Sequence, residues 1–346
     1  MLTAVIGRWR CGGGRDNAAV MHLIVPFAGT ASDAGRQALQ TLALPNLSRL
    51  LARWMPGAPL GSDEFSPNPP HEQALAQALG WLHAPDAALP FAAQQAATLG
   101  WPVANAAWGR LTPVHLHLGA DAVSLTEPTA LQLDAASAHQ LFNSVRPLFE
   151  TEGFTLHWAA PQQWLATHAL FDGLVTAAID RVVGRNIDTW LPEQRSARLI
   201  RRLQNEVQML LYTHPINEAR EAAGLPTVNS FWLSGCGRLP DSPAASSPQV
   251  DNRLREPALA EDWAAWCEAW RALDAGPISA LLGAGPTNAL LGAGPTSALL
   301  GADDAPRLTL CGERKAQAWA PAAQGLWQRL SGSWRKPSTH TALEAL

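Results

Sequence analysis

The stretch His214-Pro-Ile-Asn-Glu-Ala-Arg220, continuing through Gly224, Pro226 and Asn229 into Phe231-Trp-Leu-Ser-Gly-Cys-Gly237, is where the reading of this chain turns. It is dense in residue types that a simple packing segment does not need. Asn217, Arg220 and Asn229 offer fixed donors to an anionic or carboxylate ligand. Gly235 and Gly237 follow a strand-like run and allow close backbone approach, and His214 and Arg238 flank the segment. A structural reading competes: His214 as a helix C-cap and Gly235-Cys236-Gly237 as a tight turn. The chemistry alone leaves both open, because a lone Gly-x-Gly is a weak signal.

Working outward, Ser196 to Tyr212 places Leu199, Leu203, Val207, Leu210 and Leu211 on one helical face and Arg198, Arg201 and Arg202 on the solvated one. Asp134 stands as N-cap to a helix over 135–150, with Leu141, Val145, Leu148 and Phe149 inward. Gly153 ends that helix before the strand-like Phe154-Thr-Leu-His-Trp158. From Pro113 the run Val-His-Leu-His-Leu-Gly alternates like a half-buried strand, and Ala122 to Leu125 suggests another. Near the start, His22-Leu-Ile-Val-Pro-Phe27 reads as a buried strand. Asn46 can cap a helix through Leu47, Leu50 and Leu51, and Pro56 to Pro70 reads as loop. Pro69 and Pro70 precede Ala74, Leu75, Ala78, Leu79 and Leu82 at helical spacing, which puts His71 and Glu72 in a helix's first turn.

Downstream, Trp263, Trp266 and Trp270 form a helical stripe that reads as core. A nonapeptide tandem follows, with copies opening at Gly276, Gly285 and Gly294. It is too short for a solenoid and reads as a surface linker, since Gly-Pro punctuates regular structure. Arg307-Leu-Thr-Leu-Cys-Gly312 reads as a last strand. The 346 residues are 47% hydrophobic, enough for a core, and the formal net charge of −4 implies neither nucleic acid nor an anionic membrane as partner. No apolar run approaches the roughly 18–20 residues that cross a bilayer, and Arg8, Arg10, Arg15 and Asp16 interrupt the first twenty positions, so a cytoplasmic protein is expected. Cys11, Cys236, Cys267 and Cys311 form no Cys-x-x-Cys pair, which argues against a disulfide framework or a structural zinc site.

The segment from His214 to Gly237 resembles archaeal-type cofactor-independent phosphoglycerate mutases of the alkaline phosphatase superfamily. The family's run of His-Pro-x-Asn, an Arg three residues on, then Gly, Pro, Asn and a strand ending in Gly-x-Gly is matched by His214, Pro215, Asn217, Arg220, Gly224, Pro226, Asn229, Gly235 and Gly237. Weaker similarity reaches back to Leu23, and Pro45-Asn46-Leu47 is similar to a helix start of the family. The layout is closer still to the shorter bacterial RpfE-type regulatory proteins.

The departures bear on activity. The family's first strand ends in a metal-binding Asp followed by Gly, whereas here it reads Val25-Pro26-Phe27. Matching the family's Leu-Gly to Leu79-Gly80 puts His71 and Glu72 where its nucleophilic Ser-Asp turn belongs. Ser62-Asp63 lies nine residues too early. Asp180-Arg-Val-Val-Gly-Arg185 resembles the family's arginine-rich run but comes late in the order and is set aside as coincidence. The late metal ligands have no counterpart, since His340 is the one histidine after Arg238. Two-metal phosphoryl transfer needs several carboxylates and histidines converging on the ions.

The resemblance therefore implies an α/β fold with a mostly parallel sheet flanked by helices, an alkaline-phosphatase-like core. Residues 1–20 are expected to be a disordered or mis-assigned start and 21–238 the mutase-like region. A divergent part at 239–330 would hold the repeat loop at 276–302, and 331–346 a flexible tail. The function implied is a regulatory pseudoenzyme with neither metal nor other cofactor, binding a small phosphorylated or carboxylate metabolite, or a protein partner. Its site would comprise His214, Asn217, Arg220, Asn229, Gly235, Gly237 and Arg238, faced by His71 and Glu72. The alternative is an active mutase or phosphatase with a rearranged site, His71 taking the phosphoryl group.

Overall fold

His22–Val25 (β1) is buried along its whole length, as a strand flanked on both sides must be. It pairs in parallel with Gln249–Val250 (β10) and with Arg307–Cys311 (β11), Leu23 lying opposite both Gln249 and Leu308. β11 turns back antiparallel into Lys315–Pro321 (β12), which pairs antiparallel with Trp54–Pro56 (β2) and Leu60–Gly61 (β3). This computed structural model describes residues 22–61, 63–81, 84, 86–192, 194–195, 197–241, 248–283, 305–321 and 338–346. The first twenty residues, Ser62 and the second and third repeat copies lie outside the described residues.

A second sheet is antiparallel throughout, in the order β7-β8-β4-β9, from Ala107–Val114 (β4), Thr155–Ala160 (β7), Gln163–Thr167 (β8) and Ser230–Arg238 (β9). Leu116–Leu118 (β5) and Val123–Leu125 (β6) form a separate hairpin. The fold is thus mixed α/β, but not built on a mostly parallel sheet: parallel pairing between described strands is confined to β1 and its two neighbours.

Each large sheet has its own core. Around the first, Leu23, Leu47, Trp266, Trp270 and Leu308 pack together, supplied by Asp33–Thr41 (α1), Pro45–Arg53 (α2) and Trp263–Leu273 (α10). Trp266 and Trp270 are fully buried, so the tryptophan stripe is core. Around the second, Leu111, Phe149, Trp164 and Phe231 meet Ala135–Thr151 (α5), capped by Asp134, and Ala197–Tyr212 (α7). Leu210 of α7 faces out rather than in, as do Arg198, Arg201 and Arg202. Cys236, Cys267 and Cys311 are buried and unbridged.

Three local expectations change. Asn46 does not cap α2; the helix begins at Pro45 and its free N–H groups are met by the distant Asp274 carboxylate. The first repeat copy is not a linker, because Asp274–Ile278 forms a π-turn that carries α10 into Ser279–Gly283 (α11), with Ile278 and Leu281 buried. The end of the tail is not flexible chain either: Thr339–Glu344 (α12) is a helix whose Leu343 is buried. Among the described residues no helix is long and apolar enough to cross a membrane.

Candidate functional site

Pro215–Ala222 (α8) begins at His214, whose Nδ1 accepts the Ile216 N–H while Nε2 sits 2.9 Å from Ser144 Oγ, so His214 is an N-cap and not a C-cap. Asn217 is buried with both ends committed: Nδ2 donates to the carbonyls of Leu211 and Val228, and Oδ1 accepts from Val228 N. Arg220, 6% exposed, donates to the carbonyls of Pro226 and Leu131. Asn229 closes a two-way pair with the Leu116 backbone. These are the donors expected to hold a ligand; the fold spends them on orphan backbone groups, which burial makes costly to leave unmet.

Gly235 and Gly237 have φ of 65° and 141°, and a Cβ at either would lie 3.0 Å from Ala92 N or 3.1 Å from Pro90 Cβ. The close approach is made by the start of Phe91–Thr98 (α4) at Gly235 and by the Pro90 ring before it at Gly237. Arg238 pairs with Asp172 at 2.7 Å on the surface. Outside their own segment, these residues meet Ser144, Leu131, Leu116 and Asp172.

His71 and Glu72 do lie in the first turn of Pro70–Ala78 (α3), and charge gathers there. His71 Nε2 is 3.2 Å from Asp180 Oδ2. Asp180 and Glu127 are both held by Arg255, which reaches Asp180 Oδ1 at 2.7 Å and Glu127 Oε1 at 2.8 Å. Burial works to raise the Asp180 carboxyl, but the His71 hydrogen bond and the Arg255 charge outweigh it and hold Asp180 below the usual carboxylate range. Glu72, short of such partners, goes the other way: burial pushes it up to about 7, helped by Asp180 and opposed by His71, Arg110 and Arg181. Two neighbouring carboxyls driven apart in this way are the arrangement that acid–base chemistry uses.

The position is set by the first sheet. β1, β10 and β11 run parallel, and their carboxyl ends deliver Phe27, Asp251 and the Gly312–Glu313 turn to one edge, where α/β sheets accept ligands. Phe27 has φ 56°, a conformation bulky residues rarely hold, and its ring lies 5.6 Å from that of His71. Beside this cluster opens a cleft of about 240 Å3 whose lining includes Glu64, Arg181, Arg185, Trp190, Glu313 and Arg314, the last paired with Glu64. Arg181 is 4% exposed; it donates to the carbonyls of Glu313 and Asn68, and its Nε is buried without a partner among the described residues. Arg185 reaches Glu313 only at 3.9 Å.

Asp180, Arg181 and Arg185 belong to the run set aside in the sequence for its late position, and that position is what hid them: the chain returns to α3 through the segment after Phe171. Arg255, Glu127 and Glu313 carry no motif of their own. Among the described residues no group of three or more His, Cys, Asp or Glu side chains is arranged to hold a metal ion.

No family model matches the chain, and no curated protein does. Among solved structures it is weakly similar to the PH0037 protein from Pyrococcus horikoshii, with 11% identity over 94% of this chain and 91% of that one and a TM-score of 0.40. It is weakly similar also to the cofactor-independent phosphoglycerate mutase from Thermoplasma acidophilum, with 12% identity over 87% of this chain and 90% of that one and a TM-score of 0.34.

Proposed function

We propose that this chain is a divergent phosphoglycerate-mutase-like protein of the cytoplasm that binds a small phosphorylated or carboxylate metabolite and acts in regulation rather than in metal-dependent phosphoryl transfer. The observation that carries the reading is Arg181: a buried guanidinium whose Nε has no partner among the described residues, lining a cleft that Arg185 also lines. Two guanidiniums lining one cleft suit an anion that bridges Arg181 and Arg185. The Asp180 to Arg185 run then takes the part that the sequence resemblance gives to the family's arginine-rich run. Phe27 supports the same ancestry, since it keeps a left-handed backbone where the family pattern has Gly after its metal-binding Asp.

Arg220 drops out of the binding site in this reading and becomes a strut. The test is a thermal-shift and calorimetric titration with phosphorylated three-carbon acids. Arg185→Ala is expected to weaken binding about tenfold or more while leaving the unliganded melting temperature in place, because the ion pair of the Arg185 side chain with Glu313 is long and exposed. Absence of binding by the unmutated protein sinks the proposal.

A further inference from the structure

Gly29 and Gly312 lie just past the carboxyl ends of β1 and β11. Neither lies in the left-handed region, so backbone conformation does not require glycine at either place. What requires it is the end of the chain. A Cβ on Gly29 would stand 2.5 Å from the Leu343 carbonyl oxygen and 3.1 Å from Leu346 Cβ, and one on Gly312 would stand 2.6 Å from Leu346 Cβ. At both positions the three nearest atoms all belong to residues 343–346. Two glycines far apart in sequence thus leave room for one and the same segment.

That segment is anchored at both ends. Ser338 caps α12 through Thr341 N, Thr339 Oγ1 lies 2.7 Å from Ser48 Oγ of α2, and Leu343 is 1% exposed. The Leu346 carbonyl accepts from Lys315 N at 2.8 Å and Arg314 N at 3.3 Å. Those two amides belong to the turn between β11 and β12 that carries Glu313. The Glu313 carbonyl takes the Arg181 guanidinium, one carboxylate oxygen takes Ala31 N, and the other faces Arg185 at 3.9 Å. Hydrogen bonds therefore link the tail to the turn and the turn to Arg181, with Arg185 at ion-pair distance from Glu313.

We propose that residues 338–346 act as a clasp that holds the Glu313 turn across Arg181 and Arg185, so that the docked tail keeps the cleft in a low-affinity state for anions. The inference rests on the cleft reading given above. Glu313 competes with an incoming anion for both guanidiniums, and release of the Leu346 carbonyl from Arg314 and Lys315 lets the turn withdraw.

The experiment uses the full chain, inorganic phosphate as ligand, and amide hydrogen exchange at Arg314 and Lys315. Gly29→Ala and Gly312→Ala each crowd out the tail, so exchange at those amides should accelerate and phosphate should bind roughly fivefold more tightly or better. Glu313→Gln, on an exposed side chain that threatens no core, should give a similar gain with the tail still protected. Faster exchange without tighter binding, unchanged exchange in the glycine variants, or no gain in Glu313→Gln each overturns the clasp alone. Failure of the parent and all variants to bind phosphate overturns the clasp together with the cleft reading.

Discussion

At Glu72 a half-buried carboxyl sits beside Asp180 in the first turn of α3, raised from 4.5 to about 7 by burial. Between those values the unfolded chain releases the proton while the folded chain keeps it, so this group makes stability fall as pH rises through the window. His22 works in the opposite sense. It is lowered from 6.5 to about 4 by burial and by Arg307, so its contribution grows over an overlapping window. Asp180 titrates below both. The difference between the parent and Glu72→Gln therefore isolates Glu72: the variant should gain on the parent by on the order of 2 kcal/mol between pH 5 and pH 8 in urea unfolding, less than full conversion of the shift because the residue is partly exposed. A parallel pair of pH profiles would refute it. His71 and Glu72 were legible as first-turn residues because Pro69-Pro70 and the apolar spacing behind them fix where α3 begins. Arg220 was legible as important but not as a strut, since a guanidinium answering backbone carbonyls and one answering a phosphate look alike in sequence.

The start of α2 shows the same limit one level up. Leu44 stands at the N-cap without a side-chain cap, and the helix is capped instead by Asp274, whose Oδ1 accepts Leu47 N at 2.7 Å and Oδ2 accepts Asn46 N at 3.1 Å. Asp274 is 4% exposed and opens the π-turn that contains Pro277. Proline lacks the N–H an α-helix needs and crowds the carbonyl a turn earlier; a widened turn absorbs both, so Gly276-Pro277 bends a helix here instead of ending it. Local rules favour a linker at Gly-Pro and a cap at Asn46, and tertiary packing of Ile278 and Leu281 against α2 overrides both. Asp274→Ala should cost about 2–3 kcal/mol in denaturant unfolding, since it leaves buried helix N–H groups unmet as well as removing a cap. Asp274→Asn should retain part of that. A loss below about 0.5 kcal/mol for Asp274→Ala, the level of an ordinary surface change, would mean that water or a shifted side chain serves the helix end equally well.

Over the whole molecule, the two sheets differ in how far apart their strands lie in the chain. The antiparallel sheet is drawn from one continuous stretch, Ala107 to Arg238, and two of its four strands, β7 and β9, could be read in advance. The other pairs Leu23 with Leu308 and Trp319 with Pro56, so it closes only when the two ends of the chain meet. Hydrophobic patterning identifies β1 and β11 as buried strands but cannot say that they are neighbours, and the Ala-rich β12 escapes detection altogether. A sheet assembled at such separation bears a larger loop-closure cost and gains from anything that ties it to the sheet already formed. Arg255 is such a tie: it lies in Arg255–Leu259 (α9), beyond β10, and its guanidinium holds Asp180 and Glu127 from the middle of the chain, with all three side chains at most 20% exposed. Removing one member of a buried ion network strands the others, at about 3–5 kcal/mol. Arg255→Ala should therefore not only lower stability but divide unfolding, the first sheet melting before the second, so that a scan with one transition in the parent resolves into two. Exchange of the Leu23 and Leu308 amides should then accelerate well ahead of Leu111 and Leu233. A single transition at an unchanged midpoint would show that the two cores are coupled by apolar contact and that the charge network is incidental to their cooperativity.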